Sequence, residues 1–230
     1  MKQKISIKDF MDRLNVKIND LRIRIFHFNF IQVNTYILYD DTKEAVIIDP
    51  GNYIPNEDKT LEEFIIQNGL KVKFIINTHP HIDHIFGNDF SRKAFNVPLL
   101  LHENGLVIYN HADEYCSTMP FQRPDFPAPD QFVREGDILT FGNQSLKVLY
   151  TPGHCDGSIC LYDEKNKLLF TGDVLFEESI GRTDLPSGNY ETILNSINTQ
   201  LFTLPDDTVV YPGHGSATTI GHEKRENPYL

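Results

Sequence analysis

Cysteine is scarce in this chain, basic residues are outnumbered, and long apolar runs are missing. The three cysteines, Cys116, Cys155 and Cys160, are an odd set in 230 residues and suggest no disulfide framework. Free thiols in a reducing cytoplasm are expected. Lys and Arg total 21 against 32 Asp and Glu, a net charge of −11. That balance argues against nucleic-acid binding, which needs clustered cations to neutralise phosphate. It leaves room for an anionic small molecule wherever a bound metal makes one pocket locally positive. No stretch approaches the ~18–20 uninterrupted apolar residues of a membrane span. The charged opening "MKQKISIKDFMDRLNV" also lacks the apolar core of a secretory signal. A cytoplasmic protein without a membrane partner is expected, and nothing in the composition points to an oligomeric state.

What is present is a succession of strand-like runs. A short helix at Ile7–Leu14, in an accessory arm over 1–20, precedes a single domain over 21–230. "LRIRIFHFNFIQVNTYILYD" alternates apolar and polar residues, and "EAVIIDPG" is a short apolar run stopped by Asp49-Pro50-Gly51. Residues 58–68 carry an acidic start, the helical spacing of Leu61, Phe64 and Ile65, and a stop at Gly69. The strand in "VKFIINTHPHIDH" is followed by a helix around 85–95 and the strand "VPLLLH". Residues 103–130 end in "PFQRPDFPAPD", whose four prolines predict a loop over a surface or a site. Further strands are "QSLKVLY", "SICLYDE", "KLLF" and "TVVY", with a helix at about 190–202 before the last.

Polar residues cluster where these runs stop. After "KFII" come His79, His81, Asp83 and His84; after "KVLY" comes "TPGH", ending in His154. "TGD" follows "KLLF" and ends in Asp173, and "PGHG" follows "TVVY" and contains His214. Loops leaving strands converge on one edge of a sheet, where binding sites are commonly built. Neutral imidazole and carboxylate suit zinc, and also iron or manganese, while the lack of clustered cysteine argues against a thiolate site. So many donors exceed the need of one tetrahedral ion, and a carboxylate shared between two divalent metal ions accounts for the surplus. His27, His102, His111 and His222 read as ordinary surface or core histidines.

"THPHIDH", "TPGH", "TGD" and "YPGHG", in that order, resemble the HxHxDH motif and later ligands of the metallo-β-lactamase superfamily, over nearly the whole chain. The resemblance implies an α+β fold, an αβ/βα four-layer sandwich with its site on one edge of two sheets. It implies that His79, His81 and His154 hold one metal, that Asp83, His84 and His214 hold the other, and that Asp173 bridges them. Asp49 matches the superfamily's early aspartate, which supports a ligand from behind.

"TGDVLFEESIGRTDLPSGN" and the tail "TIGHEKRENPYL" resemble the single-domain glyoxalase-II-like, hydroxyacylglutathione hydrolase-like subfamily. That resemblance implies hydrolysis of an anionic acyl thioester by a hydroxide bridging two ions, zinc first among them. Asp83 would orient the hydroxide, and Arg182 would anchor a substrate carboxylate, with a salt bridge to Asp184 as its alternative. Cys155 reads as a small residue behind the ligands. The helical region that holds glutathione in full-length glyoxalase II has no counterpart before Leu230. The alternatives are a mono-iron persulfide dioxygenase of the same fold, for which Leu185 and "YPGHG" are departures, and a metal-dependent ester or lactone hydrolase. A β-lactamase, an RNA-processing nuclease and a metal-binding protein without turnover fit less well.

Overall fold

The computed structural model describes residues 15–117 and 125–230; the helix expected at Ile7–Leu14 lies outside them, as do Pro120 and Pro124. The described chain begins with an antiparallel meander of β1 (Asn15–Ile18), β2 (Leu21–Phe28), β3 (Val33–Tyr39) and β4 (Glu44–Ile48). All of β1 pairs with β2, so residues 15–18 are an edge strand of the sheet rather than part of an arm. Crossovers then add β5 (Lys71–Ile76), β6 (Leu99–His102) and β7 (Gln131–Val133), each parallel to the strand before it.

The first crossover contains α1 (Pro55–Gln67), which starts before the expected residue 58. Proline at the first helical position leaves no unpaired N–H, and Glu57 and Asp58 sit at the positive end of the helix. Leu61 and Ile65, four apart, form its buried stripe. The second crossover carries α2 (Ile82–Ile85) and α3 (Asn88–Phe95), within the helical region expected at 85–95 but starting earlier. The third carries α4 (Leu106–Asn110) and α5 (Ala112–Ser117), where a loop was expected. Tyr109, Ala112 and Cys116 are buried at spacings of three and four, a helical stripe completed before the prolines begin. Residues 125–130 have no regular structure.

The second half builds another meander from β8 (Ile138–Phe141), β9 (Gln144–Tyr150), β10 (Ile159–Asp163) and β11 (Leu168–Gly172). A small hairpin follows, of β12 (Leu175–Phe176) and β13 (Ser179–Ile180). Next comes α6 (Tyr190–Ser196), prolonged by a wider turn to Leu201, in agreement with the helix expected at 190–202. Then β14 (Val209–Pro212) pairs parallel with β11, and β15 (Thr218–Thr219) leads into α7 (Ile220–Glu226).

Alternation along the strands creates the layers. In the first sheet Tyr36, Leu38, Val46 and Ile48 meet Leu161, Leu168, Phe170 and Tyr211 of the second, forming the central core. Their neighbours Ile37, Ala45 and Ile47 point the other way, onto Leu61 and Ile65 of α1. In the second sheet Cys160, Leu169 and Val210 likewise pack on Ile193, Ile197 and Leu201. Each sheet is thus covered on both faces, which is why β3, β10 and β11 are buried along their whole length. The expected four-layer αβ/βα sandwich is present.

Candidate metal centre

The strands bring their polar ends together by direction. β4 and β5 are parallel, as are β11 and β14, and β9 runs with β11 because both are antiparallel to β10. Hydrogen bonds join the two sheets at this edge, and the Asn34 side chain adds contacts to Pro212 O and Gly215 O. Ile159 N donates to Thr78 O at 2.9 Å, Asn34 N to Gly213 O at 2.7 Å, and Tyr36 Oη to Pro212 O at 2.6 Å. Two glycines permit the approach. A Cβ on Gly172 would strike the Thr78 hydroxyl, and one on Gly213 would strike Asp173 Oδ1 and lie 2.7 Å from His84 Cε1.

All seven residues expected as ligands converge here. Their donor atoms fall into three groups, each with its atoms within 4.8 Å of one another: His79, His81 and His154; Asp83, His84 and His214; and His79, His84 and Asp173. In the first, His81 Nδ1 and His154 Nε2 are 2.8 Å apart. In the second, His84 Nε2 lies 3.3 Å from His214 Nε2 and 3.5 Å from Asp83 Oδ2, and His214 Nε2 is 3.1 Å from Asp83 Oδ2. Asp173 stands between the groups. Its Oδ2 is 3.7 Å from both His154 and His214 and 4.0 Å from His79, and its Oδ1 is 3.4 Å from His84.

Outer hydrogen bonds turn the imidazoles inward. Asp49 Oδ2 accepts from Thr78 Oγ1 at 2.7 Å and from His84 Nδ1 at 2.9 Å. With its hydrogen given to Asp49, the Thr78 hydroxyl accepts from His79 Nδ1, 3.1 Å away. His154 Nδ1 donates to the carbonyl of Arg182 at 2.8 Å. These assignments leave Nε2 of His79, His84 and His154 aimed at the common space. His79 Nε2 and Asp173 Oδ1 are buried and without a hydrogen-bond partner. A buried lone pair and a buried carboxylate oxygen left open together are what a cation requires.

The electrostatics agree. Burial, reinforced by neighbouring imidazoles, pushes His79 well down, and burial beside His154 lowers His81 to about 4. Burial also lowers His154 despite Asp173. Burial works against charge on Asp83 and Asp173 too, but the imidazole of His84 outweighs it and holds both carboxyls below their usual range. Burial likewise disfavours charge on His84, yet Asp83, Asp173 and Asp49 raise it well above an ordinary histidine. Carboxylates that draw a proton onto Nε2 attract a divalent cation to the same place.

Beside the donors lies a cavity of about 430 Å³, reached by His81, Asp83, His154, Asp173 and His214. Its outer wall is mainly apolar, with Ile31, Ile82, Ile108, Tyr115, Leu185 and Pro186. Arg182 lines it too, but its guanidinium is not free. Nε and Nη2 each donate to Asp184 at 2.7 Å, the pairing the sequence offered as the alternative. An anchoring role requires a substrate carboxylate to displace or share Asp184. Cys155 is fully buried, 3.3 Å from Ser158 Oγ, and burial pushes its thiol up to about 12. It is not an activated nucleophile. Tyr211 stacks on Phe170 in the core, and Tyr190 is exposed.

The remaining histidines stand outside the site. His27 is exposed, His102 stacks on Tyr150, His111 Nδ1 bonds Val107 O, and His222 meets Glu178. Sequence reasoning missed the Thr78 hydroxyl, the Arg182 carbonyl and the wall built by α4 and α5. Thr78 directly precedes His79 and was the one visible signal. A carbonyl has no signature in residue type.

A model of the Metallo-beta-lactamase superfamily matches residues 28–214. The chain belongs to the metallo-beta-lactamase superfamily. It is 38% identical over 212 residues to hydroxyacylglutathione hydrolase GloC of Haemophilus influenzae, covering 91% of this chain and 98% of that protein. Among solved structures, the BLEG-1 B3 metallo-beta-lactamase superposes with a TM-score of 0.82 at 38% identity, covering 90% of this chain and 99% of that one. TTHA1623 in a di-iron-bound form follows at 0.80 and 33%, with the same coverage. ETHE1 from Myxococcus xanthus has a TM-score of 0.73 at 32% identity, over 90% of this chain and 83% of its own. This superfamily member is a metal-dependent hydrolase with the clustered His and Asp donors of a metal site. Among the described residues no helix is long and apolar enough to cross a membrane.

Proposed function

We propose that the protein hydrolyses acyl thioesters with the help of two divalent metal ions. His79, His81 and His154 would hold one ion and Asp83, His84 and His214 the other, with Asp173 within reach of both groups. The observation that carries this reading is the place of Asp173, between two donor groups and with Oδ1 unpartnered. Imidazole and carboxylate donors favour zinc, and iron fits the same set. The di-iron form of TTHA1623 supports two ions in such a fold. When bound, such ions polarise a carbonyl and bring the ionisation of water towards neutral pH.

The chain's own groups do the rest. Asp49, Thr78 and the Arg182 carbonyl fix the ring orientations before any ligand arrives. Asp83, kept ionised by its histidine neighbours, would accept a hydrogen bond from that water and orient it. Addition to the carbonyl forms the new carbon–oxygen bond, and collapse of the adduct then breaks the carbon–sulfur bond, giving a carboxylate and a thiolate that takes a proton from solvent. A thiolate leaves readily, so no general acid is demanded. The buried, un-ionised Cys155 leaves the protein without need of a covalent intermediate there. The name of the relative GloC supports the thioester over other acyl bonds, and a cytoplasmic setting suits the free thiols.

The test is a panel of acyl thioesters on purified, metal-loaded protein. Hydrolysis should vanish in Asp173→Ala and persist in Cys155→Ala. No hydrolysis of any thioester sinks the proposal, and loss in Cys155→Ala alone sinks the metal-centred mechanism. The second reading is the one the sequence resemblance offered as its alternative, an oxidoreductase using one iron at the first group of donors. One iron per chain with oxygen uptake on glutathione persulfide would establish it in place of the hydrolase. The complete second donor group favours the hydrolase.

A further inference from the structure

The cavity beside the donors continues into a second one of about 600 Å³, with which it shares Ile108, Tyr115 and Pro186. Val107, His111 and Glu114 complete that extension, so its one acidic or basic side chain besides the histidine is a carboxylate. Across the described residues lining both cavities, Arg182 is the only Arg or Lys, and both prongs of its contact with Asp184 are 2.7 Å long. Asp184 itself does not line either cavity, and its side chain is 68% exposed. It acts from the rim, engaging the one Arg or Lys among the described residues that line the cavities. What remains exposed to a substrate's arms is apolar surface from α2, α4, α5 and the Leu185–Pro186 turn, with Glu114 farther out. Apolar walls with few polar groups select by desolvation, and a carboxylate brought there without a partner is penalised.

We propose that Asp184 is a specificity-determining residue: by engaging Arg182 it makes the site favour thioesters with uncharged, apolar arms over those carrying a carboxylate. This rests on the thioester reading above. The pair works as repulsive selection, since discrimination comes from withholding a cation rather than from adding a contact. It also reverses the simple expectation that an arginine at the rim marks an anionic substrate.

Wild-type protein and Asp184→Asn, both metal-loaded, are compared on S-pentanoyl- and S-glutaryl-N-acetylcysteamine. These differ by a terminal methyl against a carboxylate. Wild type should prefer the pentanoyl thioester. Asp184→Asn should raise the glutaryl-to-pentanoyl ratio of kcat/KM by about two- to fivefold, the range of an exposed ion pair. The double variant Arg182→Gln/Asp184→Asn should lose that gain. A merely structural role for Asp184 would lower both rates together and leave the ratio unmoved. An unmoved ratio, or the same gain in the double variant, overturns the proposal. If wild type hydrolyses neither of these two, the thioester reading stands or falls on the wider panel above. The ratio of Kd values for S-pentyl- and S-(4-carboxybutyl)-N-acetylcysteamine, read by calorimetry on the same proteins, then decides the role of Asp184 without turnover.

Discussion

Replacing Asp49 by alanine tests the logic of the centre without touching an expected ligand. Asp49 is buried and accepts Thr78 N at 2.7 Å, Thr78 Oγ1 at 2.7 Å and His84 Nδ1 at 2.9 Å. The Thr78 hydroxyl can rotate to another acceptor, but its amide and the imidazole cannot. Two fixed buried donors left open, at ~1–3 kcal/mol each, destabilise the metal-free protein by about 2–6 kcal/mol. In a domain of this size each kcal/mol lowers Tm by ~2–4 °C, so the fall is at least several degrees. Released from Asp49, the His84 ring is no longer held with Nε2 facing the metal. Loss of such an outer partner weakens metal binding by about 10–100-fold, or roughly 1.4–2.7 kcal/mol. Competition with a chromophoric chelator should show the larger weakening at the Asp83–His84–His214 group and a smaller one at the group of His79, whose ring Thr78 orients. Asp49→Asn keeps one acceptor oxygen and should fall between the two proteins. If Asp49→Ala holds both ions as tightly as wild type and melts where it melts, the orienting role assigned to Asp49 is wrong.

Gly213→Ala should leave the sandwich folded but remove bound metal, because the new Cβ meets Asp173 and His84; elemental analysis beside circular dichroism checks both halves. Phe170→Ala removes a fully buried ring packed on Tyr36 and Tyr211, at about 3–5 kcal/mol, read as a fall in Tm of the chelator-stripped protein. Burial holds Cys155 and Cys160 up at about 12, whereas an unfolded thiol ionises near ~8.5. Below pH 12 both therefore stay un-ionised in the folded protein. At pH 8.5 iodoacetamide should alkylate them rapidly only after unfolding; rapid native labelling of Cys155 would contradict its burial.

The converging donors were legible because side-chain type and position both marked them: imidazoles and carboxylates placed where apolar runs stop. Asp49 was singled out by the superfamily resemblance, its own position reading only as a turn. The layers were harder to read, since β3 and β10 are buried on both faces and show no polar alternation. Residues 106–117 went unread because their helices are short and their buried stripe is only three residues long. The prolines that argued for a loop lie farther on, so their influence was extended too far back. The pairing of Arg182 with Asp184 was weighed, but two residues of sequence separation do not say which way a long side chain turns. Contacts made by main-chain carbonyls leave no trace in residue type at all.

The division of the donors between the sheets has a consequence for the whole molecule. His79, His81, Asp83 and His84 belong to the first sheet's loops, while His154, Asp173 and His214 belong to the second's. His84 and His214, assigned to the same ion, are 130 positions apart, so an ion bound there would join distant parts of the chain. A covalent cross-link closing a loop of that order removes ~4–5 kcal/mol of unfolded-chain entropy. Coordination across the same gap works in the same direction for as long as the ions stay. The centre is then also the clasp of the sandwich, and stripping it should open the seam between the sheets to protease before either sheet melts.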